Sequence, residues 1–435
     1  MNYLERRRRL AAAIGGGALV LPTNHEHIRS RDTHYEYRPS SDLLYFTGFD
    51  EPEAIMVLVP GHAEHEFVLF VRPKNRESEI WDGFRWGPEG AKEQFGADAA
   101  FPISEFATRL PGLLAGRPAL YHALGVDRAF DDQILAALRS LGPTRRTPDR
   151  APNAIVDPRP VMHAMRRIKD ADEISVMDRA GQITARAHLD AMRATRPGLN
   201  EFEIQAHIEH YFRKEGARGP SYGSIVASGA NACTLHYVSN NRVMRDGELL
   251  LVDAGCELDW YAADITRTWP VGAAFSGEQR AVYEAVLDVQ LQAIADIRPG
   301  ISVHELQQNT IRRTTEHLVA LGLLSGSVDS NIETEAFKRF YMHGIGHYLG
   351  MDVHDVGAYL VDGGAGIALE PGVVITVEPG IYIAPDDELV PEGFRGIGVR
   401  IEDDVVVGHQ SNQILTSLVP KAVDEIEAIR RDALR

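Results

Sequence analysis

Residues 247–267 read GELLLVDAGCELDWYAADITR, and the reading of the whole chain turns on them. Leu249, Leu250, Leu251 and Val252 form an unbroken apolar run, as expected of a strand buried on both faces. Asp253 ends that run, and Asp264 follows eleven residues later. The intervening residues 255–261 have turn composition, so the two carboxylates are expected to face each other across an antiparallel pair. An ionised carboxylate buried alone is costly, and two together repel until one takes up a proton. A cation is therefore expected between them. The stretch contains no Lys and a single Arg, Arg267, which makes a metal ion the economical choice.

The same pattern recurs twice downstream. Residues 373–380, VVITVEPG, form an apolar strand that ends in Glu378, and residues 396–407, GIGVRIEDDVVV, enclose Glu402. Any one of these acids alone would suit a strand edge or a cap. Four of them embedded in three apolar stretches point to one shared cationic partner.

An internal repeat accounts for the acids occurring in pairs. RPGLNEFEI at 196–204 resembles RPGISVHEL at 298–306. Each copy sets a cap residue, Asn200 or Ser302, three positions before Glu203 or Glu305, the spacing of a helix capping box. A helix is expected before each copy, over 173–195 and 277–297, and a strand-rich segment after it. Val176, Ala180, Ile183 and Ala187 are expected to face the core in the first of these helices, and Val282, Val286 and Val289 in the second. The first half then carries His236, Asp253 and Asp264, and the second His354, Glu378 and Glu402. Two halves of this kind would meet about a pseudo-twofold axis.

Residues 341–357, YMHGIGHYLGMDVHDVG, hold three of the seventeen histidines, bracketed by glycines that allow close backbone approach. Beside four buried acids they read as one metal ligand and two acid/base or anion-stabilising groups. Four carboxylates balance two divalent ions. An oxygen-rich set with one imidazole and no thiolate favours Mn²⁺ or a similar first-row ion over structural Zn²⁺.

Composition sets the outer bounds. A chain of 435 residues suits two domains, and 44% hydrophobic with 25% charged residues is globular rather than disordered. A formal charge of −17 argues against nucleic acid or anionic membranes as partners. Two cysteines, Cys233 and Cys256, suit a reducing cytoplasm rather than a disulfide scaffold. Arg6–Arg9 with the apolar residues after it imitate a short leader, but Gly15, Gly16 and Gly17 interrupt the run, so a surface helix leading into a strand at 18–21 is expected. Residues 1–165 read as an α/β domain, with strands at 54–59 and 67–71, a helix at 131–141 and no metal cluster. Residues 161–169 read as a crossover into a second domain, 166–435.

In order and spacing, Asp253, Asp264, His347, Glu378 and Glu402 resemble the five metal ligands of the pita-bread metallopeptidases. That group includes methionine aminopeptidase, prolidase, aminopeptidase P and the metal-free creatinase. NACTLHY (231–237), HGIGHYLGMDVHDVG (343–357), TVEPGIY (376–382), RGIGVRIEDD (395–404) and RPSSDLLYFTGFDEPEA (38–54) are similar to aminopeptidase P, so the resemblance spans nearly the whole chain. It implies an α+β pita-bread catalytic domain with an internal pseudo-twofold repeat, following a smaller creatinase-like α/β domain. It also implies two Mn²⁺ ions and a homo-oligomer, dimer or tetramer.

By the same resemblance, Asp253 would bind one ion bidentately, Asp264 and Glu402 would bridge both, and His347 and Glu378 would complete the coordination of the second ion. Glu378 would shuttle protons, His354 would stabilise the oxyanion with help from His343, and His236 would border the proline pocket. Tyr382, Arg400 and Trp81, the last within SEIWDGFRWG, match substrate-side neighbours, with Trp81 reaching toward a site from the N-terminal domain, in a neighbouring subunit. The implied reaction is hydrolysis of the bond between an N-terminal residue and a following proline in peptides. The alternatives are a prolidase restricted to Xaa-Pro dipeptides and a non-catalytic peptide-binding module; five intact ligands argue against the second.

Overall fold

The computed structural model describes residues 1–361 and 363–435, which divide into two units, Met1–Met165 and Arg166–Arg435. In the first unit, the apolar runs at Ala18–Pro22, Ile55–Leu58 and Phe67–Val71 become the centre of a six-stranded sheet. Ala18–Pro22 pairs antiparallel with Ile55–Leu58 and parallel with Leu120–Tyr121. Helices Phe106–Leu114 and Arg128–Leu141 lay Phe106, Leu110, Phe130 and Ile134 onto this sheet. The N-terminal run expected on the surface is helix Tyr3–Ile14, which buries Leu10 and Ile14. The crossover expected at 161–169 is a helix, Arg159–Arg167.

The second unit repeats one order of elements. Helix Ala171–Ala194 leads to helix Glu201–Lys214 and then to a sheet of Ile225–Ser228, Leu249–Asp253 and Thr266–Pro270. Helix Gly277–Asp296 leads to helix Val303–Ala320 and then to a sheet of Val374–Val377, Asp403–Val406 and Gln413–Ile414. Capping boxes form at Asn200 with Glu203 and at Ser302 with Glu305, which fixes where both second helices start. Val282, Val286 and Val289 are buried as expected. Among the described residues, no helix is long and apolar enough to cross a membrane.

Two local expectations are corrected. In helix Ala171–Ala194 the expected Ala180 and Ala187 are buried and Ile183 packs half-buried against the core, but the stripe also runs through Met177, Gly181, Thr184, His188 and Ala191, and Val176 is half-buried and outside it. The contact favours small side chains: a Cβ on Gly181 would come within 2.9 Å of the Leu415 carbonyl oxygen. Residues 255–261 are not a simple turn either. Cys256–Leu258 and Tyr261–Ala262 form a second short hairpin, with Asp259 and Trp260 at its tip at φ 48° and 70°. Asp253 therefore registers with Thr266, not with Asp264. Gly255 permits the fold-back, since a Cβ there would lie 1.7 Å from the Ala263 carbonyl oxygen.

Candidate active site

The four strand-end acids and His347 come together on the wall of one cavity of about 400 Å³ in the second unit. Asp253 ends Leu249–Asp253, and Asp264 lies two residues before Thr266–Pro270. Glu378 follows Val374–Val377, and Glu402 occupies the break between Gly398–Arg400 and Asp403–Val406. The two halves are stitched at this point. The Glu402 N–H donates to the Thr266 carbonyl (3.0 Å), and the Asp264 N–H donates to Asp404 Oδ2 (3.0 Å). Gly346 lets the histidine segment lie flat against Thr376, where a Cβ would sit 2.0 Å from the carbonyl oxygen. Glu378 N–H then donates to the Ile345 carbonyl (2.8 Å), which brings His347 beside Glu378.

One atom from each of Asp264, His347 and Glu402 lies within 4.8 Å of the others. His347 Nε2 is 3.6 Å from Asp264 Oδ2 and 3.6 Å from Glu378 Oε1. Its Nδ1 faces the Tyr348 carbonyl at 3.0 Å, an acceptor that fixes the proton on Nδ1 and leaves the Nε2 lone pair pointing at the acids when the ring is neutral. Asp253 is held from both sides: Oδ1 accepts from Tyr222 Oη (2.6 Å), and Oδ2 from Arg400 Nη2 (2.6 Å). Glu402 Oε2 accepts from Thr266 Oγ1 (2.6 Å).

The electrostatics of this cluster favour a cation among its carboxylates. Burial, reinforced by Asp264, Glu378 and Asp253, pushes Glu402 well above the ordinary carboxylate range. Burial pushes Glu378 up to about 7 despite His347 and Arg400 nearby. Asp264 is also raised, by burial and by Asp253 against the opposing pull of His347. Burial alone would lower His347, but Asp264 and Glu378 more than offset it and bring the ring to about 9. Buried acids forced to hold protons beside an imidazole with an oriented lone pair fit a divalent cation, which would relieve the repulsion and take the lone pair.

The other expected residues divide into three groups. His236, His343, His354 and Arg400 line the same cavity. His354 packs edge-on against His347 at 4.4 Å between ring centroids, and burial with the neighbouring His347 lowers its pKa. His343 is held more tightly than its expected role requires. Nδ1 faces the Gly344 carbonyl (2.8 Å) and Nε2 the Tyr382 hydroxyl (2.9 Å), while burial and Arg400 lower the ring to about 4. It is thus neutral, donating from Nδ1 and accepting at Nε2, with no free nitrogen to offer. Tyr382 lies behind this wall, and its hydroxyl also accepts from Arg400 Nη1 (3.0 Å). Trp81 lies on helix Arg76–Asp82 of the first unit and is 84% exposed.

The sequence reading missed Tyr222. Its hydroxyl is shared between Asp253 Oδ1 and Asp264 Oδ1 and bridges the pair that the strand register leaves offset. Burial and the surrounding acids raise its pKa well above the usual phenol value, so it remains a donor. Nothing within SYGS at 221–224 signals this, because both partners lie more than thirty residues away. Arg267 was the one cation noted beside Asp253. It turns instead to Asp403 (2.7 Å), and Arg400 takes its place at Asp253.

Comparison with known proteins agrees with this arrangement. The model of metallopeptidase family M24 matches residues 175–409, and that of the aminopeptidase P N-terminal domain matches residues 3–121. The chain is 47% identical over 432 residues to an Xaa-Pro aminopeptidase of Escherichia coli K12, covering 98% of this chain and 97% of that one. It is 35% identical to Xaa-Pro aminopeptidase 3 of Homo sapiens, covering 99% of this chain and 85% of the human protein. The structure of the Pseudomonas aeruginosa aminopeptidase PepP matches with a TM-score of 0.97 at 49% identity, covering 100% of this chain and 98% of that one. An Escherichia coli aminopeptidase P variant in complex with substrate matches with a TM-score of 0.95 at 45% identity, covering 100% and 99%. The expected architecture, an α/β N-terminal domain and a pita-bread domain, is therefore the one present. Matches of this depth over the whole length place the chain in metallopeptidase family M24, with the N-terminal domain characteristic of aminopeptidase P.

Proposed function

We propose that the chain is a metal-dependent Xaa-Pro aminopeptidase, which removes the N-terminal residue from peptides with proline in second position. The observation that carries this reading is the meeting of Asp264, His347 and Glu402 within 4.8 Å on a cavity wall that also holds Asp253 and Glu378. These five residues would hold the metal. Oxygen donors with one imidazole suit Mn²⁺, and two ions balance the four carboxylates. When bound, the ions supply Lewis acidity and lower the pKa of a water so that it attacks near neutral pH.

The chain's own groups supply the remaining steps. Glu378 takes a proton from the attacking water and passes it to the prolyl nitrogen. That nitrogen is part of a tertiary amide with no N–H of its own, and leaves as an amine only once protonated. His354 is neutral near pH 7 and donates a ring N–H to the carbonyl oxygen as charge develops there. His236, with Leu235 and Val238 beside it on the cavity wall, borders the prolyl side. His343 serves as a fixed wall, locked by Tyr382, while Arg400 orients Asp253. Trp81 would be supplied to this cavity by a neighbouring copy in a dimer or tetramer. The free thiols of Cys233 and Cys256 suit a reducing cytoplasm.

The test uses Arg-Pro-Pro and Gly-Pro with EDTA-treated protein, before and after adding Mn²⁺. Release of Arg from the tripeptide only after addition is expected. Cleavage of Gly-Pro alone would assign a dipeptide-restricted prolidase, and no cleavage at full metal content a peptide-binding module.

A further inference from the structure

The cavity wall formed by Leu235, His236 and Val238 belongs to a loop with little regular structure of its own. After the short 3₁₀ turn Gly229–Cys233 the backbone is irregular, and Val238 is 60% exposed. Asn240 and Arg242 tie its far end to Ser224, Val226 and Ser228, and a further anchor lies outside the loop. Glu201, the first residue of helix Glu201–Lys214, is fully buried, and its carboxylate accepts five hydrogen bonds. Oε1 accepts from Ser228 N (2.7 Å), Ser228 Oγ (2.7 Å) and Asn231 Nδ2 (3.0 Å). Oε2 accepts from Tyr237 Oη (2.8 Å) and Arg242 N (2.9 Å). Ser228 and Arg242 are the two ends of the loop, and Asn231 and Tyr237 are points within it. One carboxylate thus closes the loop at its base and pins it on either side of His236.

We propose that Glu201 is a positioning residue for the reaction, one that sets the place of His236 and with it the binding of the prolyl side of the peptide. The proposal rests on the function proposed above. Five donors converge on four lone-pair sites of an ionised carboxylate, an arrangement an amide cannot reproduce. In Glu201→Gln, with its oxygen at the Oε1 position, the new NH₂ faces the Tyr237 hydroxyl and the Arg242 N–H. At the Arg242 N–H donor then meets donor in a buried site, without any change in side-chain volume, while the Tyr237 hydroxyl turns its proton toward Asn241 Oδ1 and accepts from the amide.

The experiment is a double-mutant cycle with Arg-Pro-Pro on the Mn²⁺-loaded enzyme: wild type, Glu201→Gln, His236→Ala and the double variant. Glu201→Gln is expected to raise KM about tenfold with kcat within about threefold and metal content unchanged. On the His236→Ala background the same substitution should change kcat/KM by less than about twofold, because its target is already gone. An equal effect on both backgrounds, or wild-type KM in Glu201→Gln, overturns the proposal. If Glu201→Gln does not fold, Tyr237→Phe removes one of the five donors, and the same cycle is run with an expected KM rise of about threefold. Amide exchange within 229–242 gives a readout independent of turnover. Acceleration confined to that segment in Glu201→Gln supports the clamp even where the wild type cleaves no Xaa-Pro peptide, and unchanged exchange refutes it.

Discussion

Removing the metal should leave a site that stores protons, and refilling it should expel them in a number set by the geometry described above. With no ion bound, Glu378 titrates near 7 and His347 near 9, and Glu402 lies well above the ordinary carboxylate range. Glu378 therefore gives up most of its proton between pH 6 and pH 8, while His347 stays largely protonated. A divalent ion needs an unprotonated imidazole and ionised carboxylates, so its binding displaces whatever protons these groups carry. Filling the site should therefore release about two to three protons per chain at pH 6 and about one fewer at pH 8. By linkage, overall affinity should climb by on the order of four orders of magnitude across those two pH units. The assay is calorimetric titration of EDTA-treated protein with Mn²⁺ in buffers of different ionisation enthalpy, which reads the proton count directly. Release of less than one proton, or the same number at both pH values, would refute the argument that buried, mutually repelling carboxylates create this site.

Three further outcomes can be checked separately. Glu378→Ala and His354→Ala should each fold normally and lower kcat by about 10²-fold or more, as loss of a proton carrier or an oxyanion donor does; near-wild-type kcat in purified protein would remove the assigned role. Tyr222→Phe deletes only the hydroxyl shared by Asp253 and Asp264, and should weaken Mn²⁺ binding by about 10–100-fold in a chelator competition while leaving Tm within a few degrees. Asp355 is buried and paired with Lys169 (2.9 Å) and Arg166. Burial alone would raise its pKa, but these two cations hold it below the usual range. Its contribution is thus present above about pH 4 and lost as pH falls through the depressed folded value. Asp355→Asn should cost about 3–5 kcal/mol at pH 7 in denaturant unfolding, and the gap to wild type should narrow in acid; a gap independent of pH would contradict the pairing.

What could be read from the chain was what depends on short-range pattern. Acids that interrupt apolar strands at 253, 378 and 402 need no partner to look anomalous, and Asn200 with Glu203 or Ser302 with Glu305 declare a helix start within four residues. What stayed hidden depends on residues far apart. Tyr222 looks like any loop tyrosine until Asp253 and Asp264 are brought to it. Glu201 looks like an ordinary acid in a helix first turn, its second function resting on Ser228, Tyr237 and Arg242. On helix Ala171–Ala194 hydrophobic spacing marks Ala180, Ile183 and Ala187 but errs at Val176 and passes over Gly181, Thr184 and His188, because close packing there selects small side chains and satisfied polar ones. The turn at 255–261 was misread because Asp and Trp in left-handed backbone at a hairpin tip are an uncommon choice.

The phenol of Tyr222 has a use beyond its place in the site. Its hydroxyl proton is shared by two carboxylates whose electron density any bound cation would draw away, so the near-ultraviolet absorption of this one ring must change on loading. The protein carries its own optical gauge of occupancy, readable by difference spectroscopy without label or substrate, and a Tyr222→Phe protein is its built-in blank.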